Sequence, residues 1–481
     1  MIATCRMPRR KRQFSSRARS VLLLASVLTP GLAAAQDSSV DLLSIYVKAL
    51  DANPDYQAAV AGFHEAAEAK PQALSKLLPQ IGAAANAGEL EQAVSGQFFQ
   101  GVFDNTKLAD EVSGAGIAVN RHVSFYQLGY QFQLQQTVFD WNQFKAYDQA
   151  ELQVGQAGVK VYEALDALRL EAAQDYFAVL QAQDGVRFAG AEKEAVGELL
   201  QQTQNKLSSG LVTDVDVKQA QAEYDLSDAS LIDARNTLEV ALTQLQLLTG
   251  GQSYARVRPL LVNYQPQLPE PNNLDEWVKR AREQNLSVQD KHYGSEIAQK
   301  EVEMQQAQRL PTLAASAKRT YEYSDGGITN GIAAGDNHGI DESVFLTLKV
   351  PIYTGGAIES AVRGAKAGLD KAKFEEASAV NGAKHGVQVA FLNVTAGLSH
   401  ISALRQAVLS ATAAEDAARV GYGVGTKTYS DVLLAVRSRY KAERDYAQAR
   451  DDYIVNFLKL KQSAGSLSHV DILTVNRWLQ Q

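Results

Sequence analysis

Apolar and polar positions along this chain follow two periods, and the two periods divide it. From Tyr126 to Gln135 the period is two: Tyr126, Leu128, Tyr130, Phe132 and Leu134 fall on one face, and Gln127, Gly129, Gln131, Gln133 and Gln135 on the other. One face suits lipid and the other a water-filled lumen. Weaker alternation runs through Ile81, Ala83, Ala85 and Ala87, through Leu313, Ala315, Ala317, Tyr321 and Tyr323, and through Val344, Leu346, Leu348 and Val350. Arg319 shares the apolar face of the third segment. Strands are therefore expected over about 80–88, 122–137, 312–324 and 342–352. Each alone fits a half-buried soluble sheet; the glutamine ladder fits a wet lumen better. Four strands cannot close a barrel around a pore, so several chains would have to share one. The Gly-, Asp- and Asn-rich stretches at about 88–121 and 325–342 read as exposed loops between the strands.

The remainder is helical in pattern, rich in Ala, Gln, Glu, Lys and Leu, all good helix formers. From Phe144 to Leu207 there is no proline. At 1.5 Å per residue such a run reaches roughly 90–100 Å. Length without breakers predicts a long bundle or coiled coil.

This pattern occurs twice. Gly210-Leu211-Val212-Thr213-Asp214-Val215-Asp216-Val217 aligns with Gly425-Thr426-Lys427-Thr428-Tyr429-Ser430-Asp431-Val432 at a spacing of 215, which also carries Gly250 to Gly465. Asn53 and Pro79 align with Asn285 and Pro311 at a spacing of 232. The expected organisation is a first repeat over 36–258, a Pro-rich link over 259–271, a second repeat over 272–470 and a short C-terminal tail over 471–481. Each repeat reads helix, strand, loop, strand, long helix, turn, helix.

Residues 1–35 read as a secretory signal: a basic stretch from Arg6 to Arg19, an apolar run from Val21 to Leu28, and Ala33-Ala34-Ala35 before a cut at Gln36. The single cysteine, Cys5, lies within it, so the mature chain carries no thiol chemistry and no disulfide framework. The signal holds seven of the 47 basic residues and none of the 54 acids, which leaves a mature formal charge of −14. That excludes a nucleic-acid binder, which needs a basic face. No later segment has 18 consecutive apolar residues, so no spanning helix is expected. Any crossing should then be a barrel, the other structure that satisfies its backbone in lipid. There is no Walker loop, zinc-protease helix or nucleophile elbow, and the seven histidines are scattered. No enzyme, cofactor or metal site is expected.

The chain resembles the TolC family of outer-membrane efflux and secretion ducts, closest to the branch that serves type I secretion. The residues that carry the resemblance are Leu78-Pro79-Gln80, Val138-Phe139-Asp140, Val350-Pro351-Ile352-Tyr353 with Gly355-Gly356, Gly210-Leu211-Val212, and Gly421-Tyr422 with Val424-Gly425-Thr426 and Asp431-Val432-Leu433. Any one of them is weak; their order, spacing and duplication together are specific.

The resemblance implies an α+β membrane protein: a long α-helical barrel, or coiled-coil tunnel, joined to a transmembrane β-barrel that three chains share, four strands from each. It implies a homotrimer in outer-membrane lipid, served by a periplasmic adaptor and an inner-membrane pump of ABC, RND or MFS type. Tyr126, Leu128, Tyr130, Phe132 and Leu134 would meet lipid, and Gln127, Gln131, Gln133 and Gln135 the lumen. Asp216 falls at the acid of a periplasmic gate, with Tyr422 and Lys427 as its partners. Lysine at 427, where the family often has arginine, lacks the bidentate fork. Asp431 falls at a constriction ring, while Leu434 replaces that ring's second acid. Gly210, Leu211, Val212, Gly425 and Thr426 would form the adaptor-docking tips. Asp216 and Asp431 also sit at helix starts, where a carboxylate can serve as a plain cap. The alternative function is a periplasmic coiled-coil adaptor, which leaves the Tyr126–Gln135 alternation unexplained.

Overall fold

A computed structural model describes residues 39–98, 117–329, 332–334 and 336–480. The signal expected over 1–35 lies outside the described residues, as does 99–116 in the middle of the first expected loop.

The first half runs β1 (Ser39–Val40), α1 (Leu42–Ala52), α2 (Pro54–Ala67), α3 (Ala69–Ser75), β2 (Gln80–Phe98), β3 (Ile117–Phe139), α4 (Trp141–Ser208), α5 (Asp214–Leu248) and β4 (Arg256–Val257). The second runs α6 (Leu274–Gln284), α7 (Leu286–Ala307), β5 (Thr312–Ser324), β6 (Gly327–Thr329), β7 (Ile332–Ala334), β8 (Asn337–Lys349), α8 (Ala357–Gly423), α9 (Tyr429–Ser463) and α10 (His469–Arg477). The longest helices match across the halves: α4 has 68 residues and α8 has 67, while α5 and α9 have 35 each. At 1.5 Å per residue, α4 and α8 each run about 100 Å.

Helix ends follow local chemistry. Asp140 caps α4 by accepting from the Asn142 amide at 3.0 Å. Asn53 and Asn285, the matched residues of the two halves, cap α2 and α7 in the same way. Gly210 and Gly425, both at positive φ, turn the chain from α4 to α5 and from α8 to α9.

α4 packs along α5, and α8 along α9; α7 lies against both α4 and α8, and α9 also touches α4. The main core gathers where these helices meet the inter-repeat link, around Tyr176, Phe177, Trp277, Leu245, Ile454 and Leu458. Tyr176 donates to the Arg258 carbonyl at 2.7 Å, and the Trp277 indole donates to the Pro271 carbonyl at 2.7 Å. The link is thus a strap held by buried aromatic donors. The chain after 470, expected as a tail, is part of this core. α10 packs there through Ile472 and Val475, and Leu479 bridges to Leu260. Alternating polar residues hid its buried stripe.

The strands form one antiparallel sheet in the order β2-β3-β5-β8, and β6 and β7 form a separate hairpin. β2 and β3 have 19 and 23 residues, well past the expected boundaries at 88 and 122. Part of each predicted loop is therefore strand, because antiparallel pairing carries polar residues that alternation alone assigns to loops. α8 also contains an 18-residue window of mean hydropathy 1.3, only 22% buried. By length and composition alone, α8 is thus long and apolar enough to cross a membrane, although no unbroken apolar run in the sequence led to that expectation. The window lies within a 67-residue helix that packs along α7 and α9.

Candidate functional site

Two regions have functional geometry: the sheet and the turns joining α4 to α5 and α8 to α9.

Residues opposite one another in an antiparallel pair share a face. Phe132 stands opposite Ala83 on β2 and Arg319 on β5, and Arg319 opposite Glu342 on β8. Tyr130 stands opposite Tyr321, and the rings stack at 5.1 Å. One face thus reads Ile81, Leu134, Ala317 and Val344 in one row, with Tyr126, Leu128, Tyr130 and Phe132 ranked along β3. Its one charged cross-strand pair is Arg319 with Glu342, at 2.9 Å, so the arginine that interrupted the apolar pattern is neutralised by its neighbour. The other face is mainly polar, with Phe345 opposite Ser316 as its large apolar exception: Gln131 lies opposite Thr320, Gln133 opposite Lys318, and Gln127 opposite Ser324. Lys318 in turn faces Ser343, and Thr320 faces Asp341. Gln135 ends this row opposite Ser316.

No hydrophobic side chain of the four strands is buried among the described residues. Tyr126 is 62% exposed, Phe132 52% and Val344 82%. A soluble sheet of this size would bury one face against a partner layer. This one leaves its apolar face, its polar face and both edge strands open. Thirteen residues in the shorter strands suffice to cross a bilayer, which needs about 9–11 tilted residues.

At the turns, Leu211, Val212, Asp216, Tyr422, Gly425 and Lys427 line one cleft of about 460 Å³. The sequence separates them by more than 200 positions; the fold brings them together. The pairing inside the cleft differs from expectation. The Asp216 carboxylate accepts from the Thr213 amide at 2.8 Å and the Thr213 hydroxyl at 2.7 Å, a closed capping box at the start of α5. Asp431 repeats this with Thr428, at 2.8 and 2.9 Å, at the start of α9. The Thr213 hydroxyl, then its amide, holds the Asp216 carboxyl below its ordinary range; for Asp431 the Thr428 amide leads. The direct hydrogen bonds expected from Asp216 to Tyr422 and Lys427 do not form within this chain. Tyr422 instead meets the Thr203 hydroxyl at 3.3 Å. Lys206 donates to the Tyr422 carbonyl at 3.1 Å, with its ammonium 3.3 Å from the centre of the Tyr422 ring. Lys427 is tied through its backbone amide to the Gly421 carbonyl, and a Cβ on Gly421 would fall 2.6 Å from the Lys427 side chain.

Asp431 lies near Lys427, which helps hold its carboxyl ionised. Leu434, one turn on, is 70% exposed, while Val432, Leu433 and Val436 beside it are buried. Thr426 bonds back to the Gly421 carbonyl at 3.1 Å, and Gly210 lies at the bare turn after α4. Thr203 and Lys206 were missed by sequence reasoning. The only signal for Lys206 was a basic residue in the last turn of a helix, where the dipole favours it.

The comparisons with known proteins agree with this geometry. The profile of the outer membrane efflux protein family matches residues 45–251 and 277–466. The chain is 32% identical to the outer membrane protein TolC of Escherichia coli over 448 residues, 92% of this chain and 85% of that protein. It is 25% identical to the alkaline protease secretion protein AprF of Pseudomonas aeruginosa over 90% of this chain and 86% of that one. Among solved structures, the outer membrane protein VceC of Vibrio cholerae superposes with a TM-score of 0.66 at 19% identity, covering 88% of this chain and 96% of that one. The CmeC outer membrane channel of Campylobacter jejuni gives 0.70 at 16% identity, covering 92% and 90%.

An open two-faced sheet carried on 100 Å helices defines an outer-membrane exit duct that extends into the periplasm. The chain belongs to the outer membrane efflux protein family, the TolC family of Gram-negative bacteria.

Proposed function

We propose that three copies of this chain close one 12-stranded barrel in the outer membrane and continue it as a helical tunnel, passively conducting substrates that an inner-membrane pump and a periplasmic adaptor deliver. The observation that carries this reading is the four-stranded sheet with both faces and both edges unpartnered. Four strands cannot enclose a pore, but identical edges can pair from copy to copy until the ring closes. The apolar face then meets lipid and the glutamine face lines the bore. The same sheet disfavours a periplasmic adaptor without a barrel, which would have no use for an exposed row of Tyr126, Leu128, Tyr130 and Phe132. The duct has no catalytic role and draws no energy of its own. ABC, RND and MFS pumps all suit such a tube, with polypeptides or small molecules as cargo.

The turns are its periplasmic gate in this reading. Asp216, Tyr422 and Lys427 share the gate cleft, and closure comes from contacts between copies that draw the capped helix starts together. Three Asp431 carboxylates form an anionic ring, which favours cations. Leu434 narrows the bore by apolar contact. Gly210, Leu211, Val212, Gly425 and Thr426 present the adaptor-docking surface.

The test is conductance in planar bilayers. The native protein is expected to show a small resting conductance that rises sharply in the Asp216→Ala, Tyr422→Phe double variant. Native channels with an unchanged variant trace would keep the duct and remove the gate from this cleft. No channels, with fractionation as a soluble periplasmic protein, would leave the adaptor reading.

A further inference from the structure

A second apolar cluster, separate from the main core, joins all four long helices near the turns. It contains Val196 and Leu199 of α4, Ala220 of α5, Tyr422 of α8, and Val432 and Val436 of α9. Beside Val436 stands Arg437. Its Nη2 lies 2.5 Å from a Glu223 carboxylate oxygen on α5, and its Nε lies 3.7 Å from Glu192 on α4. The arginine side chain is 40% exposed, Glu223 18% and Glu192 27%. Among the described residues, these are the only ion pairs joining α9 to the α4/α5 pair. Elsewhere the charged partners of α9 lie within itself, on α8 through Arg439 and Glu415, or on α10 through Lys461 and Asp471.

A guanidinium suits this position. Its planar fork can serve two carboxylates on two helices at once, which a lysine ammonium does less rigidly. Burial pushes the Glu192 carboxyl up, Arg437 and Arg444 pull it down, and Glu223 pushes it up again. Without Arg437, two acids on neighbouring helices face each other with less compensation. Tyr429 sits within electrostatic reach of Glu223, Arg437 and Tyr422, and so connects this charged cluster to the gate cleft. Arg437 lies six residues past Asp431, about 9 Å along the helix, close enough for a rotation of α9 to move both.

We propose that Arg437 is a clasp that positions α9 against α4 and α5 and thereby sets the resting state of the periplasmic gate. This rests on the duct reading above. The sequence pattern did not single it out, since an arginine on a polar helix face reads as a solvated charge. Nor does it belong to the Asp216, Tyr422 and Lys427 set: its partners are acids on the sides of two helices, not groups at the turns.

The experiment pairs two readouts on the detergent-purified protein: amide hydrogen exchange over 429–440, and conductance in planar bilayers. Arg437→Gln is expected to speed exchange there and raise resting conductance, each by about threefold to fivefold, the scale of losing a partly screened ion pair. Arg437→Lys is expected to give a smaller change in both, because the charge stays while the fork is lost. The Arg437→Gln, Glu223→Gln double variant is expected to be no worse than Arg437→Gln alone, since a shared interaction can be lost only once. Unchanged exchange in Arg437→Gln overturns the clasp, as do additive effects in the double variant. Faster exchange with unchanged conductance overturns its role in gating. A native protein that forms no channel overturns the duct reading instead, and exchange then still decides whether the clasp exists.

Discussion

Thr213 and Thr428 show how far a single residue can be read. Each stands three positions before an aspartate, the spacing of a capping box, and each closes one. Capping was offered as an alternative for Asp216 and Asp431 from their place at helix starts; the threonine spacing, also visible in the sequence, had not been used. The partners of Tyr422 were not visible, because Thr203 lies 219 positions away and only helix packing brings it within reach. Asp175 on α4 is a second case that sequence could not reveal. Its neighbours Ala172, Ala173, Tyr176 and Phe177 are buried, and burial, reinforced by Glu171, pushes its carboxyl up to about 6. One of its oxygens has no hydrogen-bond partner. A raised carboxyl favours the folded protein below the unfolded value near 4, and that contribution is lost as pH rises through about 6. Asp175→Asn is therefore expected to stabilise the protein at pH 7.5 by about 1 kcal/mol, after allowance for screening at a partly exposed site. The gain should vanish below about pH 4. Thermal unfolding of native and variant protein across that range checks both the sign and the window.

The strands are the elements whose function was most legible. Alternation through β3 assigned Tyr130 and Phe132 to one face and Gln131 and Gln133 to the other, and the cross-strand register extends each face over four strands. It could not give strand lengths, because polar residues at the outer ends look alike in a loop and in a ladder. The two faces should respond oppositely to charge. Phe132→Arg, on the apolar face, is expected to cost about 2–4 kcal/mol if it lies near the bilayer midplane, and less toward an interface. Gln131→Arg, one residue away on the polar face, should fold normally and alter ion selectivity. Folding yield into lipid vesicles, followed by denaturant titration, separates them. Equal costs for the two substitutions would mean that neither face meets lipid.

In the whole molecule, the helices and the sheet depend on packing in different degrees. The helices carry their own hydrogen bonds, and their shared core is completed within one chain by the link and α10. Gly465 illustrates the tightness of that core: a Cβ there would meet the Gln284 carbonyl at 2.1 Å, at a backbone φ of +70°. The sheet has no such completion, since among the described residues β2 and β8 leave their outer edges unpaired. Exposed edges of this length invite pairing with another chain. Closure by three copies predicts a detergent-solubilised particle of three chain masses that heat separates into single chains. Mass measurement by light scattering, before and after heating, checks it. A single-chain mass before heating would sink the shared barrel.

The sequence by itself determined the elements and their duplication, because each rests on local chemistry. Proline-free runs of helix formers make α4 and α8, matched Asn53 and Asn285 start matched helices, and period-two alternation makes strands with unlike faces. It also carried the family resemblance, since the ordered motifs lie at strand–helix junctions and turns. Only the tertiary structure decided which residues meet. It put the expected tail into the core, paired Arg319 with Glu342, gave Tyr422 to Thr203 and Lys206, and set Arg437 between two acids. These are contacts between side chains distant in sequence. Their geometry depends on how two 35-residue and two nearly 70-residue helices lie against each other, which no local pattern encodes.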